Sequence, residues 1–151
     1  MIQRRLILAI VVCSVAAAAD DPFLGSWHAN LSKSKPDPNH RLQKATLRFE
    51  REGDIVWLTS SGVNAAGKEV SQKTALRPDG KEYAVPAAPG IMLVTSRPDP
   101  RIIEMVGRKD GRAISRATYE VSRDGKTLTA KVGGVDDKSR PLDHYLVFDR
   151  E

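Results

Sequence analysis

The chain has 151 residues, 40% of them hydrophobic but only 5% aromatic, with 24 Lys and Arg against 19 Asp and Glu. That length suits one domain around one core, and the basic residues are scattered, without the basic stripe and interleaved aromatics that nucleic-acid binding needs. The one Cys, Cys13, lies in the first segment, so a chain cleaved beyond it has no disulfide, thiolate nucleophile or Cys-based metal site.

Residues 1–19 read as a secretory leader. Arg4 and Arg5 give it a positive start, Leu6 to Val15 is an apolar run of 10, and the small residues of AAAAD place cleavage after Ala19. The run is well short of the roughly 20 residues that span a bilayer; a retained anchor is the other reading of the segment. Val12, where a small residue is expected, argues against a lipoprotein signal at Cys13. Residues 20–151 then form a single exported domain, periplasmic or secreted, with 22 basic and 19 acidic residues and no stable membrane insertion.

Short alternating segments follow. FLGSWHANL (23–31) sets Phe23, Gly25, Trp27, Ala29 and Leu31 on one strand face. SKSKPDPNHR (32–41) reads as a Pro-rich loop, and NHRLQKA (39–45) has room for one helical turn. ATLRFER directs Ala45, Leu47 and Phe49 inward; AISRATYEV does the same with Ala113, Ser115, Ala117, Tyr119 and Val121, and TLTAKV with Leu128, Ala130 and Val132. DIVWLTS (54–60) and GIMLVTS (90–96) are apolar on both faces, so their inward face is unassigned. Asp-Gly turns at PDGK (78–81), KDGR (109–112) and RDGK (123–126) punctuate the pattern, with further reversals at EGDI (52–55), NAAGKE (64–69) and RPDPR (97–101). The expected strands are 23–31, 45–51, 54–61, 69–76, 81–85, 91–97, 101–107, 112–121, 126–133 and 143–150. Successive strands joined by tight turns make an antiparallel up-and-down meander, and a long meander removes its edges by closing into a barrel. The expected fold is therefore an all-β barrel of 8–10 strands; an open β-sandwich is the alternative.

GSW on the first strand, with YLVFDR (145–150) on the last, resembles the calycin superfamily of lipocalins and fatty-acid-binding proteins. The chain as a whole looks like exported bacterial proteins of lipocalin-like type. The resemblance implies that Trp27 plugs the closed end of the barrel, that Gly25 permits close approach, and that Arg150 lies across the indole. The helix pair that lids fatty-acid-binding barrels is not visible in SKSKPDPNHRLQK.

No catalytic constellation is recognisable. His28, His40 and His144 stand on separate segments, without a Ser and Asp partner motif, and read as solvated or edge residues. They form no metal-ligand cluster, and no cofactor motif is present. The adjacent acids of VDDK (135–138) point apart on an extended segment. A cavity is the sharper expectation. Phe49, Trp57, Met105, Tyr119 and Tyr145 are candidates to line it, with Met92 beside them, while Ala113, Ser115 and Ala117 leave space. Such a pocket suits a small hydrophobic or amphipathic ligand held without chemical change. The same side chains would also serve to fill a narrow barrel. In that case function would lie in protein contacts made by the loops SKSKPDPNHR and VPAAPG (85–90).

Overall fold

The computed structural model describes residues 20–136 and 138–151; the leader assigned to residues 1–19 lies outside them, as does Asp137 of the adjacent acidic pair. All ten expected strands form: β1 (Gly25–Ala29), β2 (Leu42–Glu52), β3 (Ile55–Asn64), β4 (Glu69–Leu76), β5 (Glu82–Ala84), β6 (Ile91–Asp99), β7 (Ile102–Lys109), β8 (Arg112–Val121), β9 (Thr127–Val135) and β10 (Pro141–Arg150). They make one antiparallel sheet in the order β4-β3-β2-β1-β10-β9-β8-β7-β6-β5. The sheet curls on itself, so that side chains of β3 and β4 share an interior with those of β8 and β9. Backbone pairing runs unbroken from β4 round to β5. Between those two strands no ladder forms among the described residues, which leaves a seam in the wall.

Turn chemistry sets the hairpins. Lys109 pairs with Arg112, and the two residues between them, Asp110 and Gly111, have φ of 51° and 74°. Two consecutive positive φ values give the turn whose twist matches the flanking strands, which is why Asp-Gly recurs here. Two register shifts also need glycine. At the shift between Leu42 and Lys44, a Cβ on Gly62 would sit 2.3 Å from the Lys44 carbonyl oxygen. Gly134, with φ of 107°, would clash in the same way with the Ile114 carbonyl at 2.2 Å. The single helical turn falls at Leu31–Lys33 rather than within residues 39–45, where a turn at Pro38–His40 leads directly into β2.

Cross-strand register resolves the two doubly apolar segments. Val56 and Leu58 stand opposite Leu76 and Thr74 and are 3% and 4% exposed, so the even positions of β3 face inward. On β6 the inward residue beside Gly107 of β7 is Leu93, and Met92 takes the other face. One end of the interior is filled. Phe23, Trp27, Phe49, Leu76, Val121, Leu128 and Phe148 are each less than 2% exposed there. Burial of this kind stabilises by roughly 1.5–3 kcal/mol per large apolar side chain.

The chain's two ends seal that base. Trp27 Nε1 donates to the Phe23 carbonyl at 2.9 Å, and the Arg150 guanidinium lies 4.0 Å from the indole centroid. Arg150 also donates to the carbonyls of Leu24, Pro22 and Gly125, which fastens β10 to the segment before β1. A Cβ on Gly25 would lie 3.4 Å from this guanidinium, and its φ of 113° disfavours any other residue. Beside the clasp, Asp21 accepts from both terminal nitrogens of Arg97, from Arg51 and from the Phe23 amide.

Candidate ligand-binding cavity

Above the packed base the inward positions become small. Ala45, Ser60 and Gly62 on β2 and β3 face Gly107, Ser115, Ala117 and Ala130 on β7, β8 and β9, and side chains of this size cannot meet across the interior. The result is a hollow in two lobes. One lobe, of about 290 Å³, lies against β2, β3 and β4 with Leu47, Val70 and Leu146 in its wall. The other, of about 390 Å³, opens toward the β5–β6 turn and is walled by Ile91, Leu93, Met105 and Ala117. Gln72, Tyr119 and Val132 belong to both lobes and mark where they join. Each lobe falls within the range of roughly 300–1,000 Å³, or just below it, at which small-molecule sites occur.

Tyr119 is the polar group at the floor. Its side chain comes from β8 between Ile103 of β7 and Ala130 of β9, is 9% exposed, and meets the edge of Phe49 at 6.2 Å. Burial pushes the phenol up to about 12, so at neutral pH it presents a protonated hydroxyl. Met105 lines the second lobe, whereas Phe49 sits beneath the cavity in the packed base and borders neither lobe.

Two more of the expected lining residues lie on the outer face of the sheet. Trp57 is on the outer face of β3, where its indole N–H donates to Glu52 at 2.9 Å and the Lys73 ammonium lies 4.7 Å from the ring. Tyr145 is 38% exposed on the outer face of β10, because the ladder with β9 sets Leu146 and Phe148 beside the inward Ala130 and Leu128, and it bridges Lys35 there. Ala113 is also displaced, since the register shift after Gly107 breaks the alternation that would have carried it inward.

The segment 32–41, expected as a Pro-rich loop, is bound to the rim. Lys35 exchanges backbone hydrogen bonds with Tyr145. Asp37 is 4% exposed; its carboxylate accepts from the amides of Asn39 at 2.7 Å and Asp143 at 2.8 Å, while its own amide donates to His144 Nδ1. The Asn39 amide, working against burial and aided by His40 and the Asp143 amide, holds this carboxyl below its ordinary range. His40 stands between two carboxylates, 3.2 Å from Asp37 and 3.1 Å from Asp136. Burial opposes ionisation of Asp136, yet the Arg140 amide, His40, the Arg140 guanidinium and the Lys138 amide outweigh it and keep its carboxyl well down. Desolvation and the neighbouring His40 lower His144, which suits its role as a neutral acceptor. Thus His40 and His144 are structural ties at the rim rather than solvated residues; His28, beside Glu151 and Thr46, is exposed. Nothing local announced this cluster, because Asp37 is 106 and 107 residues from its partners on β10.

By sequence, no family model and no curated protein matches the chain. By structure, the chain is similar to the wild-type fluorescent protein UnaG, with a TM-score of 0.57 at 15% identity over 85% of this chain and 97% of that one. It is similar also to a Schistosoma mansoni fatty acid binding protein in complex with arachidonic acid, with a TM-score of 0.56 at 15% identity over 86% and 96%. A zebrafish ileal bile acid-binding protein complexed with cholic acid gives 0.54 at 13% identity over 86% and 99%. At these identities the likeness is one of fold: an all-β, lipocalin-like barrel of ten antiparallel strands.

Proposed function

We propose that this protein is an exported carrier that holds a small hydrophobic or amphipathic molecule inside the barrel and does not transform it. The observation that carries the reading is the division of the interior. Large side chains fill the base, while small ones leave two joined lobes of about 290 and 390 Å³ toward the rim. A barrel evolved only as a scaffold gains nothing from that hollow, since each unfilled volume forfeits packing energy. The two solved structures bearing arachidonic acid and cholic acid use the same fold for molecules of this kind. The loops 32–41 and 85–90 frame the rim, the first tied down by Asp37 and the second by the Val85 and Ile91 amide bonds, so both shape access to the cavity.

The test is native mass spectrometry of the processed protein taken from its own envelope fraction. A bound species of a few hundred daltons is expected, absent from a Val132→Phe variant that folds but intrudes on both lobes. Retention of the same species by that variant would exclude the cavity as its site. N-terminal sequencing of the same preparation should begin at Asp20; an intact Met1 would remove export from the reading.

A further inference from the structure

Resting on the carrier reading above, the chemistry of the lining narrows the ligand. The residues around the first lobe carry no charge. Around the second lobe only Arg116 and Asp136 are charged. Arg116 is exposed, and strand alternation places it on the outer face between Ser115 and Ala117. Asp136 is held at the rim by His40 and Arg140, where Asp37 and Asp143 add further negative charge. Two guanidiniums reach the packed base, Arg97 against Phe23 and Arg150 against Trp27, and they are engaged by Asp21 and by backbone carbonyls respectively. No cation therefore reaches the floor of the cavity among the described residues. The floor does offer one donor. Tyr119 is 9% exposed, it lines both lobes, and its hydroxyl makes no hydrogen bond among the described residues.

We infer that the cavity takes an amphipathic molecule whose inner polar end is an uncharged oxygen acceptor, such as an ester, ketone or alcohol oxygen, received by the Tyr119 hydroxyl. A carboxylate brought to the same place would lose its water and find no countercharge, a penalty that one neutral donor does not offset. An uncharged acceptor loses far less water and gives the phenol a hydrogen-bond partner within the cavity. The small residues above Tyr119 then enclose the apolar remainder of the molecule.

The test compares three probes that differ only at the head group: hexadecanol, methyl hexadecanoate and hexadecanoate, each displacing a fluorescent polarity probe at neutral pH. The alcohol and ester are expected to bind at least tenfold more tightly than the acid. Tyr119→Phe, which keeps the ring and its packing on Phe49, should weaken the ester by about threefold to tenfold, the value of one neutral hydrogen bond. It should leave a matched hydrocarbon unchanged, a control that separates a lost hydrogen bond from a disturbed fold. Equal or tighter binding of the acid, or no effect of Tyr119→Phe on the ester, would overturn the inference while leaving the carrier reading intact. Failure of all three probes and of the hydrocarbon would overturn both.

Discussion

Replacing Asp21 by Asn tests how the base of the barrel is fastened. The carboxylate is 7% exposed and receives hydrogen bonds of 2.7 Å from each terminal nitrogen of Arg97, 2.6 Å from Arg51 and 3.0 Å from the Phe23 amide. Burial alone would raise its pKa; the Arg97, Phe23 and Arg51 bonds outweigh this and bring it from 3.8 to about 2. At about 1.36 kcal/mol per unit, such a shift corresponds to ~2.5 kcal/mol of linkage. Arg51 is 49% exposed, so solvent screening reduces the figure to ~1–2 kcal/mol. The sign follows from the folded carboxyl being the stronger acid. Its stabilisation is complete above the unfolded value near 4, and is lost as pH falls from there through about 2. Urea unfolding, followed by fluorescence of the buried Trp27, should find Asp21→Asn less stable than the parent by at least ~1 kcal/mol at neutral pH. The gap should close as the pH is lowered from about 4 to about 2, because only the parent has this linkage to lose. If the two proteins lost stability in parallel across that window, the ion-pair account of the base would be wrong.

Three further outcomes follow from the fold. Arg150→Ala removes the contact over Trp27 and three carbonyl bonds, and should cost ~2–3 kcal/mol, read as a fall of about 5–10 °C in the thermal midpoint. An unchanged midpoint would show that the clasp is ornamental. Gly62→Val drives a Cβ toward the Lys44 carbonyl and should destabilise by about 1–3 kcal/mol in denaturant unfolding, whereas the same change at Gly53, with open space around it, should act through backbone strain alone. Asp37→Ala orphans the Asn39 and Asp143 amides and should accelerate hydrogen exchange at both, with a stability loss of ~1–3 kcal/mol; protection retained at Asp143 would mean the loop is tied by other contacts.

Period-two patterning made the strands legible, and it assigned inward faces wherever one face was polar: Ala45, Leu47 and Phe49 are buried while Thr46, Arg48 and Glu50 are not. The rule failed where both faces were apolar. Trp57 looks like a cavity residue by composition, yet its neighbours on the outer face, Glu52 and Lys73, give its N–H a partner and its ring a cation. Tyr145 was misplaced for a different reason, since the pairing with β9 that turns Leu146 and Phe148 inward is not visible from the last strand alone. The rim cluster of Asp37, His40, Asp136 and His144 escaped the sequence for the same reason: each residue alone resembles an ordinary loop or edge residue. Tyr119 was legible because alternation is strict near it on β8, whereas Met105, on a strand with Val106 beside it half-buried, was a candidate by residue type alone.

The position of the seam has one more consequence. β1 and β10 are hydrogen-bonded neighbours in the middle of the sheet, with the Glu151 amide bonded to the Ser26 carbonyl at 3.1 Å. Read from β5 through β10 and on from β1 to β4, the strands form one continuous hairpin series whose ends lie at the unladdered β4–β5 gap. The barrel is thus already arranged as a circular permutant: joining the present ends by a short linker and opening the exposed Pro78–Gly80 turn would break no strand pairing. Such a chain would convert the most distant pairing, β1 with β10, into a local hairpin, and should fold faster than the parent for that reason alone.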